Sequence, residues 1–194
     1  MLQEVLSVLS SSIPLQANPA VAMEGLLGVV FLLVGFVFFG NGMTLLGKTG
    51  AKEIGVLNLA VAVLIAIAAW KLHTLGLTAA TALICVFALI YFMVGGIFCL
   101  GYDAKGLGWF CLFAFIVFIW YGIFFAGLGK AFYPFTFFCW AWALLVILAF
   151  LALSLGRPLA PVVGWLFVIE AFITLMIPGM MLLTGKWQPL SGGV

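Results

Sequence analysis

The chain has 194 residues, of which 68% are hydrophobic and 6% are charged, and its formal net charge is +2. Soluble globular domains carry about 25% charged residues, so this composition excludes a soluble domain and indicates a polytopic membrane protein. The net charge is too small, and the basic residues are too scattered, for a protein that binds nucleic acid.

The first stretch, residues 1–23, is mildly apolar and is interrupted by polar residues at 10–12 and 16–18. It contains no Lys or Arg, whereas a secretory signal begins with a basic region. We expect an extension outside the main domain. It is either an interfacial segment or the product of an upstream start codon, in which case Met23 is the true first residue.

Six apolar runs follow, and each is long enough to cross a bilayer. They are residues 26–46, 54–70, 78–100, 107–125, 135–155 and 165–184. The connections are short, so we expect consecutive helices to be antiparallel neighbours and no soluble domain between them. The sequence predicts an all-α membrane domain over residues 24–187 and a C-terminal tail at 188–194.

An even number of spans places both termini on one side of the membrane. The turns on the opposite side carry Lys48, Lys52, Lys105 and Arg157, and the side of the termini carries Lys71, Lys130 and Lys186. Because cytoplasmic turns hold an excess of basic residues, this small bias predicts that the termini lie outside.

Residues 42–49 read GMTLLGKT and match the phosphate-binding pattern G-x-x-x-x-G-K-[ST]. That pattern needs a strand before it and a helix start after it, and here a membrane helix precedes it. We interpret it as a helix end followed by a lysine. His73 is the only histidine, and the cysteines form no C-x-x-C pair and are interpreted as small buried hydrophobic residues. We therefore predict no enzyme, no metal site and no cofactor.

The last run contains a single charge, Glu170. A carboxylate at membrane depth is costly and normally faces a protein-lined or wet interior. Two interpretations stay open: a protonated carboxyl bonded to a neighbouring helix, or a pore group that accepts hydrogen bonds from a polar solute. Pro178 in the same run predicts a kink.

Large side chains recur at helical spacing in three of the runs. They are Leu27, Phe31, Val34 and Phe38 in the first run, Phe87 and Tyr91 in the third, and Trp142, Leu145 and Val146 in the fifth. Taken alone, such faces are more typical of helix packing than of a pore.

In their order and spacing, four stretches resemble the AmiS/UreI family of urea channels and short-chain amide transporters. These are LLGVVFLLVGFVFFGNG (26–42), KEIGVLNLAVAVL (52–64), KGLGWFCLF (105–113) and WLFVIEAFITLMIPGMMLL (165–183). The resemblance extends from residue 26 to about residue 187. The third stretch is more similar to the amide-transporter branch.

The resemblance implies a twisted six-helix protomer with its own pore, assembled with surrounding lipid as a homohexamer in the inner membrane. It implies passive transport of urea or short aliphatic amides into the cytoplasm, where an amidase or urease consumes them. The alternative is a proton-coupled amide carrier that uses Glu170. The pore-lining residues that the resemblance implies are Leu27, Phe31, Val34, Phe38, Phe87, Tyr91, Trp142, Leu145, Val146 and Glu170.

In such a pore, Glu170 would accept hydrogen bonds from the amide NH2, and the Tyr91 hydroxyl and the Trp142 indole would donate to the carbonyl. The sequence departs from the urea channel at Val146, where that channel has a second tryptophan. One constriction is then either wider or filled by Phe31, Phe38 or Trp140. The loop at 72–77 is short and contains His73 alone, whereas acid gating needs a long loop with histidines, so we expect a constitutively open pore.

Overall fold

The computed structural model describes residues 19–191 as a bundle of helices. Five continuous helices are α1 (Pro19–Leu45), α2 (Ala51–Thr74), α3 (Thr78–Leu100), α4 (Lys105–Gly127) and α5 (Tyr133–Leu153). The sixth span consists of α6 (Ala160–Glu170), a π-helical turn (Ala171–Met176) and α7 (Ile177–Leu183). Within the described residues, six helices are long and apolar enough to cross a membrane, which confirms the predicted fold class.

The helix ends agree with the predicted runs to within a few residues, except that α1 begins earlier and α6 begins five residues before the predicted run. Of the extension predicted over residues 1–23, residues 1–18 lie outside the described residues and stay a prediction, whereas residues 19–23 belong to α1. The turn after α1 shows why the phosphate-binding pattern is a helix end. Gly47 has φ +71°, and the N–H of Lys48 donates to the carbonyl of Met43 at 2.8 Å. This is the hydrogen bonding of a glycine-capped helix C-terminus.

The helices pack mainly as three pairs. α2 packs along α3, α4 packs along α5, and α1 packs along the sixth span, which brings the first and last spans together. The predicted contact between consecutive helices is strong within the two hairpins but weak between α3 and α4. A cavity, described below, separates α3 from α4 over part of their length.

Glycines allow α1 to approach the sixth span closely. Gly28, Gly35 and Gly42 recur at intervals of seven residues, and all three face that span. A methyl group added at Gly42 would lie 2.7 Å from the carbonyl oxygen of Gly164, and one added at Gly28 would lie 2.7 Å from Leu183 Cγ. Small residues of this kind allow two membrane helices to pack backbone against backbone.

The π-helical turn stands directly before Pro178. Proline has no N–H, and its ring displaces the carbonyl four residues earlier, here that of Thr174. A π turn widens the helix locally and accommodates such a break. The sequence predicted a kink at Pro178, and the structure shows a change from α-helix to π-helix just before this residue.

The cysteines do not share one environment. Cys111 and Cys139 are buried, as expected for small hydrophobic residues, and all four thiols are free. Cys85 is exposed on the surface of α3, so the expectation of burial is wrong for this residue. Its position on an outward face of a membrane helix allows an apolar side chain to remain exposed.

A second buried carboxylate, at Glu24, holds the C-terminal segment. Glu24 is 1% exposed, and its Oε1 accepts hydrogen bonds from the backbone N–H groups of Leu190 at 2.7 Å and Ser191 at 3.0 Å. The Trp187 ring packs against Phe135, with ring centroids 4.8 Å apart. Residues 184–191, which we call the return segment, thus fold back over the start of α1.

We predict that Glu24→Ala releases the return segment. Hydrogen bonds to a charged group contribute roughly 1.5–3 kcal/mol each, and this variant removes both acceptor oxygens. Amide hydrogen exchange at Leu190 and Ser191 should become much faster, and the melting temperature should fall. Glu53→Ala, which removes an exposed carboxylate from the first turn of α2, is the matched control. Unchanged exchange in Glu24→Ala would contradict the assignment.

Candidate functional site

Two largely apolar cavities lie inside the bundle. The loop-side cavity is about 130 Å³ and reaches toward the turns after α1, α3 and α5. The tail-side cavity is about 210 Å³ and reaches toward the turns after α2 and α4 and toward the return segment. A water molecule occupies about 30 Å³ in the liquid, so each cavity has room for a small molecule.

Two aromatic residues line both cavities, and we call them the aromatic wall: Phe87 of α3 and Trp142 of α5. Their ring centroids are 4.9 Å apart, and the ring planes are nearly perpendicular at 89°. Phe118 packs against Phe87 at 5.2 Å from the side of α4. Because Phe87 and Trp142 line both cavities, the aromatic wall is the boundary between them.

Nine of the ten residues assigned to a pore from the sequence line these cavities. Those of the loop-side cavity alone are Phe38, Tyr91, Leu145 and Val146. Those of the tail-side cavity alone are Leu27, Phe31 and Val34. Phe87 and Trp142 complete the nine as the aromatic wall. Side chains from three separate spans, α1, α3 and α5, therefore meet at the two cavities.

The suggestion that Trp140 fills the constriction is wrong. Trp140 is 49% exposed and packs against Gly122 of α4. It lies on the outer side of α5, because it stands two positions before Trp142 and a helix turns about 200° over that interval. Phe31 and Phe38 do line the cavities, one on each side of the aromatic wall.

Glu170 is buried, with 5% of its surface exposed, but it is not among the residues that line either cavity. Its Oε2 has no hydrogen-bond partner among the residues that the structure describes. A buried carboxyl oxygen without a partner is unusual. The first interpretation of Glu170, a carboxyl bonded to a neighbouring helix, is therefore not supported at Oε2 by the described contacts.

The polar groups near the aromatic wall differ in their availability. The Tyr91 hydroxyl is buried and has no partner among the described residues, and Tyr91 lines the loop-side cavity. The Trp142 indole N–H, in contrast, donates to Thr174 Oγ1 at 3.0 Å. The Trp142 N–H is therefore already engaged, whereas the Tyr91 hydroxyl has no acceptor among the described residues. Donation to the solute carbonyl by either group stays a prediction.

Sequence reasoning gave no site role to Asn41 or to Thr174. Asn41 lines the loop-side cavity and exchanges hydrogen bonds with Asn58 of α2 at 2.7 and 3.2 Å. Thr174 lies four residues after Glu170 and donates to its carbonyl at 2.8 Å. The signal for Thr174 was its spacing, because residues four apart share a helix face.

His73, the histidine singled out in the sequence, lies outside both cavities. His73 is exposed in the last turn of α2, next to Trp70 at a ring-centroid distance of 6.5 Å. Among residues 19–191, no three His, Cys, Asp or Glu side chains are grouped so that they could hold a metal ion.

The comparisons with known proteins agree with one another. The family model described as AmiS/UreI family transporter matches residues 26–186. A putative transporter protein AmiS2 from Rhodococcus erythropolis is 32% identical over 175 residues, which cover 82% of this chain and 80% of that protein. A putative amidate substrates transporter protein from Mycolicibacterium smegmatis is 30% identical, with coverage of 86% and 82%.

The fold is also similar to solved structures of the Helicobacter pylori urea channel. The cryo-EM structure of its closed state superposes with a TM-score of 0.75 at 25% identity, over 83% of this chain and 99% of that one. The crystal structure gives a TM-score of 0.74 at 26% identity, with the same coverage.

Proposed function

The chain belongs to the AmiS/UreI family of transporters, and we propose that it conducts urea or short aliphatic amides passively across the inner membrane. That it is a urea channel or amide transporter follows from the family and from the structural similarity. Passive flux, direction and preferred solute are the proposal. The observation that carries it is the pair of cavities that share the aromatic wall as their common boundary.

Urea and short amides suit this pathway because they are small, planar and uncharged. A narrow passage between aromatic and aliphatic side chains admits flat molecules and excludes hydrated ions, which would lose their water without compensation. The free Tyr91 hydroxyl can donate to the solute carbonyl. Weak binding at few polar groups also suits rapid flux, because a solute must leave as readily as it enters.

Glu170 is proposed as the acceptor for the solute NH2 groups. Its unpaired Oε2 supports this role. Because Glu170 is not among the residues that line the cavities, the role requires its side chain to reach the solute by a change of rotamer. Such a change is accessible to a glutamate, whose long side chain has several rotamers. No enzymatic activity and no cofactor are proposed.

The cellular setting is part of the same proposal. The four basic residues at the turns after α1, α3 and α5 support a cytoplasmic location for the loop side, with the termini outside. We propose a homohexamer, and a cytoplasmic amidase or urease that consumes the solute and maintains its gradient. We also propose that the six-helix channel domain extends over residues 24–187.

We expect purified protein in liposomes to accelerate shrink–swell equilibration with urea or acetamide in the absence of any ion gradient. The reason is that the described residues lining the two cavities include no charged side chain through which an ion gradient could drive uptake. Uptake that appears only with a proton gradient, and that an uncoupler abolishes, would replace the channel with the proton-coupled carrier. Empty liposomes and liposomes with a heat-denatured sample are the controls.

We also expect permeability to vary less than a few-fold between about pH 5 and pH 7.5. Histidine is the side chain that ordinarily changes charge in this range, and His73 is exposed outside both cavities. Strong acid activation that disappears in His73→Ala would contradict the expectation of an open pore. Glu170→Gln tests in parallel whether the membrane carboxyl contributes to any pH dependence.

Glu170→Ala should reduce amide flux by one to two orders of magnitude while the protein still inserts and assembles. A hydrogen bond to a charged group contributes roughly 1.5–3 kcal/mol, and about 1.4 kcal/mol at the barrier changes a rate tenfold. Glu170→Gln, which keeps the shape and one acceptor, should be milder. Flux is normalised to folded protein, with melting temperature measured beside it. Normal flux in a well-folded Glu170→Ala protein would remove this carboxylate from the mechanism.

A further inference from the structure

Trp142, the tryptophan of the aromatic wall, is attached to the sixth span by two hydrogen bonds in series. The indole N–H of Trp142 donates to Thr174 Oγ1 at 3.0 Å, and the Thr174 hydroxyl donates to the backbone carbonyl of Glu170 at 2.8 Å. A hydroxyl has one hydrogen and two lone pairs. Because its hydrogen goes to the carbonyl, Thr174 has only acceptor capacity left for Trp142, and the direction of both bonds is fixed.

The Trp142 ring also packs against other aromatic rings. Phe31, Phe87, Phe118 and Phe138 lie at centroid distances of 6.3, 4.9, 5.9 and 6.2 Å. Ring pairs of this kind are stable over a range of distances and tilts, so they fill space around the indole without fixing its angle closely. Within the described residues, Thr174 Oγ1 is the acceptor for this indole N–H, and this hydrogen bond is the contact with a strict direction.

The last acceptor in this series of hydrogen bonds is a backbone group, the carbonyl of Glu170. Thr174 lies in the π-helical turn and is 1% exposed, and its hydroxyl bonds to a main-chain carbonyl instead of a mobile side chain. The turn itself packs against α1 beside Gly35. The hydrogen bonds therefore fix the position of the indole relative to the helix pair formed by α1 and the sixth span.

From this geometry we infer that Thr174 is a positioning residue that holds Trp142 in the aromatic wall and thereby sets the largest solute that crosses it. The inference rests on the proposed function. Without the Thr174 hydroxyl, the indole N–H is left in an apolar interior where an unpaired donor is costly. The ring then turns toward another acceptor, and the boundary between the two cavities opens to bulkier amides.

The experiment compares the permeability of liposomes to butyramide and to urea, and the readout is the ratio of the two. Thr174→Val has nearly the same shape as threonine and lacks the hydroxyl, and it should raise this ratio by roughly an order of magnitude. Thr174→Ser keeps the hydroxyl and should keep the selectivity close to that of the wild type. Thr174→Ala repeats the deletion if the valine variant does not fold.

The chain provides a matched control in Thr136 of α5. This threonine is also buried, but its Oγ1 has no partner among the described residues. Thr136→Val therefore removes a buried hydroxyl without breaking a hydrogen bond, and the permeability ratio should not change. A general effect of deleting a buried hydroxyl would instead appear in both variants.

A second comparison tests whether Thr174 acts through Trp142. Trp142→Phe has no indole N–H, so adding Thr174→Val in that background should leave the ratio where Trp142→Phe alone sets it. A wild-type ratio in both hydroxyl-deleting variants of Thr174, or a full effect of Thr174→Val in the Trp142→Phe background, would overturn the inference. Wild-type protein that passes neither solute would instead contradict the proposed function, so the two failures are distinguishable.

Discussion

The satisfaction of polar groups inside an apolar bundle is the constraint on which this structure depends. In a membrane interior no water is available to a buried donor or acceptor, and each must find a partner within the protein. Asn41 and Asn58 pair with each other between α1 and α2. Trp142 and Thr174 pair between α5 and the sixth span. The Tyr91 hydroxyl and Glu170 Oε2 have no partner among the described residues, and these are the groups that we propose for binding the polar solute.

Packing of the helices explains why these groups surround a passage. The glycines of α1 bring the first and last spans into close contact, and the two hairpins α2–α3 and α4–α5 stand beside this pair. Contacts between α3 and α4 are few, and both helices contribute side chains to the cavities. Bulky rings from α3 and α5 fill the centre and leave space above and below. The aromatic wall is thus a consequence of three tight pairs that do not close completely on one another.

The sequence was sufficient for the spans and for nine of the residues that line the cavities. Apolar runs separated by glycine-containing turns determined the helices. Helical spacing grouped side chains such as Phe38 and Phe87 on shared faces, and the family resemblance assigned those faces to a pore. The pairing of α1 with the sixth span was not predictable from periodicity, because it joins segments at opposite ends of the chain. The hydrogen bonds of Glu24 with the return segment were missed for the same reason. The π-helical turn shifts the faces of the last span, so its residues could not be placed by regular helical spacing.

The central claim is that both cavities belong to one solute pathway, and blocking each of them separately tests it most directly. The measurement is urea permeability of liposomes containing Val34→Trp, which fills the tail-side cavity, or Val94→Trp, which fills the loop-side cavity. Val63→Trp, on the exposed face of α2, is the control for a bulky substitution. The account predicts that either cavity substitution abolishes permeability per folded protein and that Val63→Trp does not. Normal permeability in a folded protein with either cavity filled would contradict a pathway through both.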